Sequence, residues 1–120
     1  MTDAVTKWMT AYRAAWDSND PDDIAALFTE DASYYFEPFQ EPFRGRDAIV
    51  GEWLKRADQP GDTTFTWHPV VATDDVWIVQ GVTVYSTITY SNLWVIRHDA
   101  DGRASEFTEW WMDQSKAAEG

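Results

Sequence analysis

Asn92-Leu93-Trp94-Val95-Ile96-Arg97-His98, the turn Asp99-Ala100-Asp101-Gly102, and Ala104-Ser105-Glu106-Phe107-Thr108-Glu109-Trp110-Trp111 read as two antiparallel strands joined by a short connection. Large apolar side chains occupy both faces of each strand. Phe107 and Trp111 share one face while Trp110 lies on the other, and Trp94 and Ile96 oppose Leu93 and Val95. A sheet with one solvated face would alternate more cleanly. One face is therefore expected to cover helices and a cavity. The other is expected to pack on a second copy, as a homodimer through the outer sheet face.

The same strand chemistry begins at Thr63 and is punctuated at Asp74-Asp75 and near Ser86-Thr87, which makes a meander of four strands with short turns. Upstream the period changes. Val5, Trp8, Met9, Tyr12, Ala15 and Trp16 recur at helical spacing, with Asp3, Thr6, Lys7, Thr10, Arg13 and Asp17 mostly elsewhere. Asp17-Ser18-Asn19-Asp20-Pro21 breaks that helix and starts another: Asp20 suits a cap, Pro21 the first helical position, and Asp22 and Asp23 the positive helix end. Helix two is expected from about Pro21 to Phe28, burying Ile24, Leu27 and Phe28. Ala32 to Phe36 has strand chemistry, Glu37 to Phe43 is a proline-containing loop, and Ile49, Val50, Trp53 and Leu54 form the apolar side of a third helix. Asp58 to Asp62, with Pro60 and Gly61, reads as a turn.

Composition limits the functions available. At 120 residues the chain has the length of one domain, spanning 1–120, and eight Trp among 16% aromatics exceed what a core of this size needs merely to fold. Such rings suit a pocket wall or a subunit interface as well as a core. The net charge of -12, with 21 acidic and nine scattered basic residues, disfavours nucleic acid and anionic membrane surfaces. Cys is absent, which excludes thiolate and disulfide chemistry, and His68 and His98 are too few for a His-based metal site. No metal and no cofactor is expected. Met1 to Trp16 lacks the basic flank and unbroken apolar run of a signal peptide, and no stretch has membrane length; the reading is cytoplasmic.

Four motifs stand in register: Ala14-Ala15-Trp16-Asp17-Ser18-Asn19-Asp20, Ala26-Leu27-Phe28-Thr29-Glu30-Asp31-Ala32, Phe43-Arg44-Gly45-Arg46-Asp47-Ala48-Ile49 and Asp99-Ala100-Asp101-Gly102-Arg103. Together they resemble the nuclear transport factor 2-like superfamily in its SnoaL-like branch, over nearly the whole chain. The resemblance implies an α+β fold, a cone-shaped curved mixed sheet wrapped around three N-terminal helices in the order α-α-β-α-β-β-β-β, with a pocket at the wide end. It also implies frequent dimerisation through the outer face of the sheet. Members include ketosteroid isomerase-like and polyketide cyclase-like enzymes, epoxide hydrolases, dehydratases and modules without chemistry, so activity rests on the pocket.

Isomerase-like members, as the resemblance implies, use a Tyr on the first helix, a general-base Asp after the first strand motif and a protonated Asp in the penultimate strand. Those positions fall here on Tyr12, Phe36 and Trp94; two of the three polar roles are taken by rings. Glu37 follows Phe36 and would reach the cavity only through a bulge. Glu109 alternates between Phe107 and Trp111, so it faces the cavity if they do, and a carboxylate among rings is pushed toward a neutral-range pKa. It could instead be paired within the sheet. Asn92 shares the parity of Trp94 and reaches Glu109 or a ligand carbonyl. Tyr12 is either an oxyanion donor or core with a satisfied hydroxyl, and Tyr34 has the same two readings. His68 is expected at the surface or rim, His98 in solvent, and Glu106 on the outer face.

The candidate catalytic set is thus Glu109, Tyr12 and Asn92, and the candidate wall is Trp8, Trp16, Tyr34, Phe36, Trp53, Trp94, Phe107 and Trp111. A small apolar molecule is the expected ligand. Three readings stay open: a cofactor-free acid/base enzyme (isomerase, cyclase, dehydratase or hydrolase) on a small carbonyl or epoxide compound, a binding module without chemistry, and a dimeric scaffold.

Overall fold

The computed structural model describes residues 2–59 and 61–116, without the side chains of residues 2 and 3, so the Asp3 side chain on the expected polar side and Pro60 of the expected turn lie outside it. Helix α1, Thr2–Ser18, buries the predicted stripe: Val5, Trp8, Met9, Tyr12 and Ala15 are all in the core. Asn19 then takes a left-handed backbone, φ 52°, a conformation Asn tolerates at a helix end, and its N–H donates to Ala15 O at 2.8 Å. Asp20 caps α2 (Pro21–Ala25) by accepting from the Asp22 N–H at 2.8 Å.

Helix α2 is shorter than expected. The chain leaves it through a tightened turn, the Leu27 N–H donating to Ile24 O at 3.1 Å, and the Leu27 carbonyl then accepts from the Trp8 indole at 3.0 Å and from the Ala104 N–H at 2.8 Å, which ties this point to the last strand. Phe28 accordingly begins strand β1, Phe28–Tyr35, four residues before the local strand chemistry becomes visible at Ala32. A two-residue strand β2, Phe43–Arg44, pairs with β1 and was not foreseen; two residues show no alternation. Gly45, at φ 91°, gives the turn into α3, Arg46–Lys55.

The meander follows as β3 (Thr64–Ala72), β4 (Val76–Val84), β5 (Thr89–His98) and β6 (Ala104–Asp113), with a final 3-10 turn at Gln114–Lys116. The curved, open sheet is ordered β2-β1-β6-β5-β4-β3, antiparallel except for β1 beside β6. That single parallel pairing joins the two ends of the chain and closes the sheet over the helices, the α+β arrangement anticipated from the motifs. Inward positions alternate: Trp77 and Val79 on β4, and Asn92, Trp94 and Ile96 on β5, are buried. On β6 a register shift against Arg97/His98 lets Ala104 and Phe107, three apart, both face the core.

His98 differs from its expected solvated position. Its ring is half-buried, stacked on Trp77 at 3.9 Å between centroids, with its nitrogens 3.1 Å from Asp99 O and 3.0 Å from Thr73 O. It pins the β3–β4 turn to the β5–β6 turn. His68 is exposed, and Glu106 pairs across the outer face with Arg97 at 3.4 Å.

One glycine in the sheet is required by contact rather than by backbone angle. A Cβ on Gly81 would stand 2.8 Å from the Phe65 ring and 2.8 Å from Thr66 O, and Phe65 is itself stacked on Trp94. Gly81→Ala is expected to cost about 1–3 kcal/mol, because a backbone oxygen on the paired strand cannot step aside. A urea midpoint equal to that of the parent protein would contradict this packing.

Candidate functional site

Between the inner face of the sheet and the helices lies a cavity of about 270 Å³. Helix α1 contributes Tyr12 and Trp16, one turn apart. Strand β1 and its exit contribute Tyr34, Phe36 and Glu37, while α3 and the loop after it contribute Trp53, Arg56 and Asp58. The sheet supplies Thr83, with Tyr85 just past the end of β4, then Tyr90, Asn92 and Trp94, then Glu109 and Trp111. Strand alternation places Asn92 and Trp94 side by side on β5, and the β5–β6 register sets Trp94 opposite Glu109 and Asn92 opposite Trp111.

The cavity therefore brings together the three candidate catalytic residues, Glu109, Tyr12 and Asn92, with Trp16, Tyr34, Phe36, Trp53, Trp94 and Trp111 from the expected wall. Trp8 and Phe107 do not line it. Both stand one layer behind, Trp8 held by its hydrogen bond to Leu27 O and Phe107 stacked between Tyr12 and Tyr34 at 5.7 and 4.5 Å. The helical stripe of α1 is broader than the cavity, so its members divide between core and wall. Trp111 is 46% exposed, with its ring edge-on to Tyr90 at 5.6 Å, and belongs to the outer rim.

The Tyr12 and Tyr34 hydroxyls meet at 3.0 Å, so one hydrogen bond is shared and one hydroxyl hydrogen is left over. Burial, then for Tyr12 the charge of Glu109 and for Tyr34 the neighbouring Tyr12, raises the pKa of both phenols well above the ordinary value. They are neutral donors throughout the physiological range. Glu109 is the converse case. Surrounding protein desolvates its carboxyl, even though the cavity leaves part of it reachable by solvent, and raises its pKa from 4.5 to about 7. The Trp94 indole N–H and the Arg56 guanidinium pull the other way.

Asn92 lines the cavity, and its Oδ1 accepts from the Thr83 hydroxyl at 2.7 Å. The buried Trp94 indole Nε1–H makes no hydrogen bond within 3.5 Å, and the acceptor it acts on is the Glu109 carboxyl opposite it in the β5–β6 register. Arg56 lies over the Phe36 ring at 4.5 Å and pairs with Glu52 at 3.7 Å.

Several lining residues carried no readable signal. Asp58 Oδ2 accepts from both the Trp16 indole and the Tyr85 hydroxyl at 2.9 Å, and its backbone oxygen accepts from Asn19 Nδ2 at 2.8 Å. It ties α1, the loop after α3 and the end of β4 into one rim, yet lies in a segment without periodicity. Burial and the Asp58 hydrogen bond raise the Tyr85 pKa as well. Thr83 and Tyr85 continue the inward parity of Trp77 and Val79, which alternation along β4 would have exposed. Glu37, the acid read as reaching the cavity only through a bulge, borders it just past the end of β1, with its carboxylate 3.3 Å from Gln40 Nε2. Among the described residues no group of three or more His, Cys, Asp or Glu is placed to hold a metal ion, and no helix is long and apolar enough to cross a membrane.

A family model described as a SnoaL-like domain matches residues 9–116. No curated protein gives a significant match. Among solved structures, an NTF-2 like protein of unknown function from Burkholderia xenovorans LB400 superposes with a TM-score of 0.76 at 15% identity, covering 98% of this chain and 89% of that one. A protein from Sphaerobacter thermophilus gives 0.70 at 18% identity, over 92% and 94%. A steroid delta-isomerase from Pseudomonas aeruginosa gives 0.67 at 15% identity, over 93% and 82%. At these identities the likeness speaks for the fold alone.

Proposed function

The chain belongs to the SnoaL-like domain family, and from that premise we propose that it is a cofactor-free acid/base enzyme, a single domain acting on a small, largely apolar carbonyl or epoxide compound. The observation that carries this reading is Glu109: a carboxyl facing a ring-lined cavity, with its pKa raised to about 7 by burial. Such a group is divided between acid and base near neutral pH, where proton transfer is most efficient. In this reading Glu109 takes a proton from the substrate, or from a water attacking it. Tyr12 donates to the oxygen on which charge develops, and Asn92 orients the bound molecule.

Incubation with a panel of small ketones and epoxides in D2O, followed by mass spectrometry, tests the reading. The expected result is deuterium incorporation beside the carbonyl, or ring-opened product, at a rate that rises through about pH 7 as Glu109 ionises. Removing the hydroxyl by Tyr12→Phe is expected to lower kcat about tenfold with little change in KM, since Tyr34 stays beside the site and keeps a donor there. An unchanged kcat would remove Tyr12 from the mechanism.

A binding module without chemistry is the second reading, favoured by Phe36 and Trp94 standing as rings in the wall. Quenching of Trp fluorescence by those same compounds, with no conversion of any, would select it. The homodimer belongs to the proposal as well. Leu93 and Trp110 face each other across β5 and β6 on the outer face, with Trp110 51% and Met112 66% exposed, an apolar patch suited to a second copy. Sedimentation showing a monomer at micromolar concentration would overturn it.

A further inference from the structure

Arg56 is the basic side chain of the cavity wall; among the described residues no other Lys, Arg or His lines it. Its guanidinium carbon lies 4.5 Å from the centre of the Phe36 ring and 5.8 Å from that of Phe43, so two rings set where the charge sits. Its ion pairing is weak. Nε stands 3.7 Å from Glu52, whose other oxygen is held by Lys55 at 3.2 Å. Among the described residues no hydrogen bond within 3.5 Å reaches the guanidinium, although all five of its N–H groups can only donate. The side chain is 53% exposed, so solvent and an entering molecule both reach it. The acids of the same wall are placed differently: Asp58 accepts from the Trp16 indole and the Tyr85 hydroxyl, Glu37 from Gln40, and Glu109 is acted on by the Trp94 indole opposite it. Each carboxylate has a donor, while the cation lacks a close acceptor.

We propose that Arg56 holds a carboxylate, carried by a ligand whose apolar body fills the ring-lined cavity. A carboxylate matches the planar guanidinium fork with two parallel N–H···O bonds, and the rings that fix the fork leave less freedom to be lost on binding. An ammonium group would instead compete for oxygens that are already engaged. A phosphate, with nearly two negative charges, would call for further cations, and among the described residues the wall has none. The inference rests on the pocket reading above and adds one charged group to the ligand; within the catalytic reading it makes the substrate a keto or epoxy acid.

2-Naphthoate, 2-naphthamide and 2-naphthylmethylammonium share one ring system and differ in charge. Calorimetric titration compares them at pH 6, where Glu109, with its pKa of about 7, is mostly protonated and adds little repulsion. Naphthoate should bind roughly 3- to 10-fold more tightly than naphthamide, the size of a charge-assisted contact to a half-exposed partner, and the ammonium should bind most weakly. Arg56→Met keeps an unbranched apolar stem over Phe36 and removes the charge. It should abolish the naphthoate advantage and leave naphthamide binding as it was. In the parent protein, raising salt from about 50 to about 500 mM should shrink the same advantage, because a half-exposed charge is screened; this reading needs no variant.

Naphthoate binding no more tightly than naphthamide, an advantage unmoved by Arg56→Met or by salt, or the ammonium binding most tightly would each overturn the proposal. The last would assign the edge of the cavity to a cation held by Asp58 and Glu37. In all of these the pocket reading stands, because naphthyl compounds bind. Binding of none of the three would remove the pocket reading together with the carboxylate contact placed in it.

Discussion

Glu109→Gln is expected to lower kcat for proton transfer by about 10²- to 10⁴-fold, the range that a positioned general base contributes, while the ring-lined cavity still binds the ligand. The amide has nearly the same volume and can occupy the same place between Trp94 and Trp111, but it cannot accept a proton. The pH profile separates this role from a structural one. With Glu109 as base, kcat/KM in the parent protein rises through about pH 7 and then levels; the residual activity of the variant should lack that rise.

The same substitution has an opposite effect on stability, and the sign follows from linkage. The folded-state pKa, about 7, lies above the ordinary 4.5, so the fold favours the protonated carboxyl. That contribution is fully present below about pH 4.5 and is lost as pH rises to about 7. At about 1.4 kcal/mol per pKa unit, the parent protein gives up of order 2–3 kcal/mol over this window that Glu109→Gln retains. Urea unfolding of both proteins at pH 4.5 and pH 8 measures it. A stability difference that stays constant between those pH values would mean the carboxylate is well solvated, and the proposed base would lose its physical basis.

Phe107→Ala is expected to destabilise the protein by about 3–5 kcal/mol, against a stability of about 5–15 kcal/mol typical of a folded domain. Phe107 is fully buried, and its ring contacts Trp8, Tyr12, Tyr34 and Trp94 at centroid distances of 6.0, 5.7, 4.5 and 5.2 Å. Stacked, closely fixed rings cannot collapse into the space it would leave. Because three of those four rings are also cavity wall, the loss should loosen the site, and ligand affinity should fall with stability. A urea midpoint displaced by less than 1 kcal/mol equivalent would show that the core repacks, and would remove Phe107 from the support of Tyr12 and Tyr34.

Much of the architecture was legible because it is written in local periods. The α1 stripe, the Asp20-Pro21 start of α2 and the four strands of the meander each follow from spacing or turn chemistry. What failed to read depends on partners distant in the chain. After the short α2, Leu27 O is bound by Trp8 and Ala104, which draws Phe28 into the sheet, and β2 exists only because β1 is beside it. His98 looked solvated because an acidic turn surrounds it in sequence, whereas Trp77, on the neighbouring strand, provides its stacking surface.

The candidate site divides along the same line. Strand parity alone grouped Glu109 with Phe107 and Trp111, and Asn92 with Trp94, since alternation is a property of a single strand; that the two groups share a face was decided by the β5–β6 register. Parity could not rank depth, so Trp8 and Phe107 were grouped with the wall although they lie behind it. Which faces meet was decided by the β1–β6 pairing and by the curvature of the sheet over the helices. Those bring Tyr12, Tyr34 and Asp58 from three separate elements to one cavity. Desolvation is a sum over every element that surrounds a group, so the raised pKa of Glu109 belongs to the tertiary structure, even though the residue that carries it was visible in a single strand.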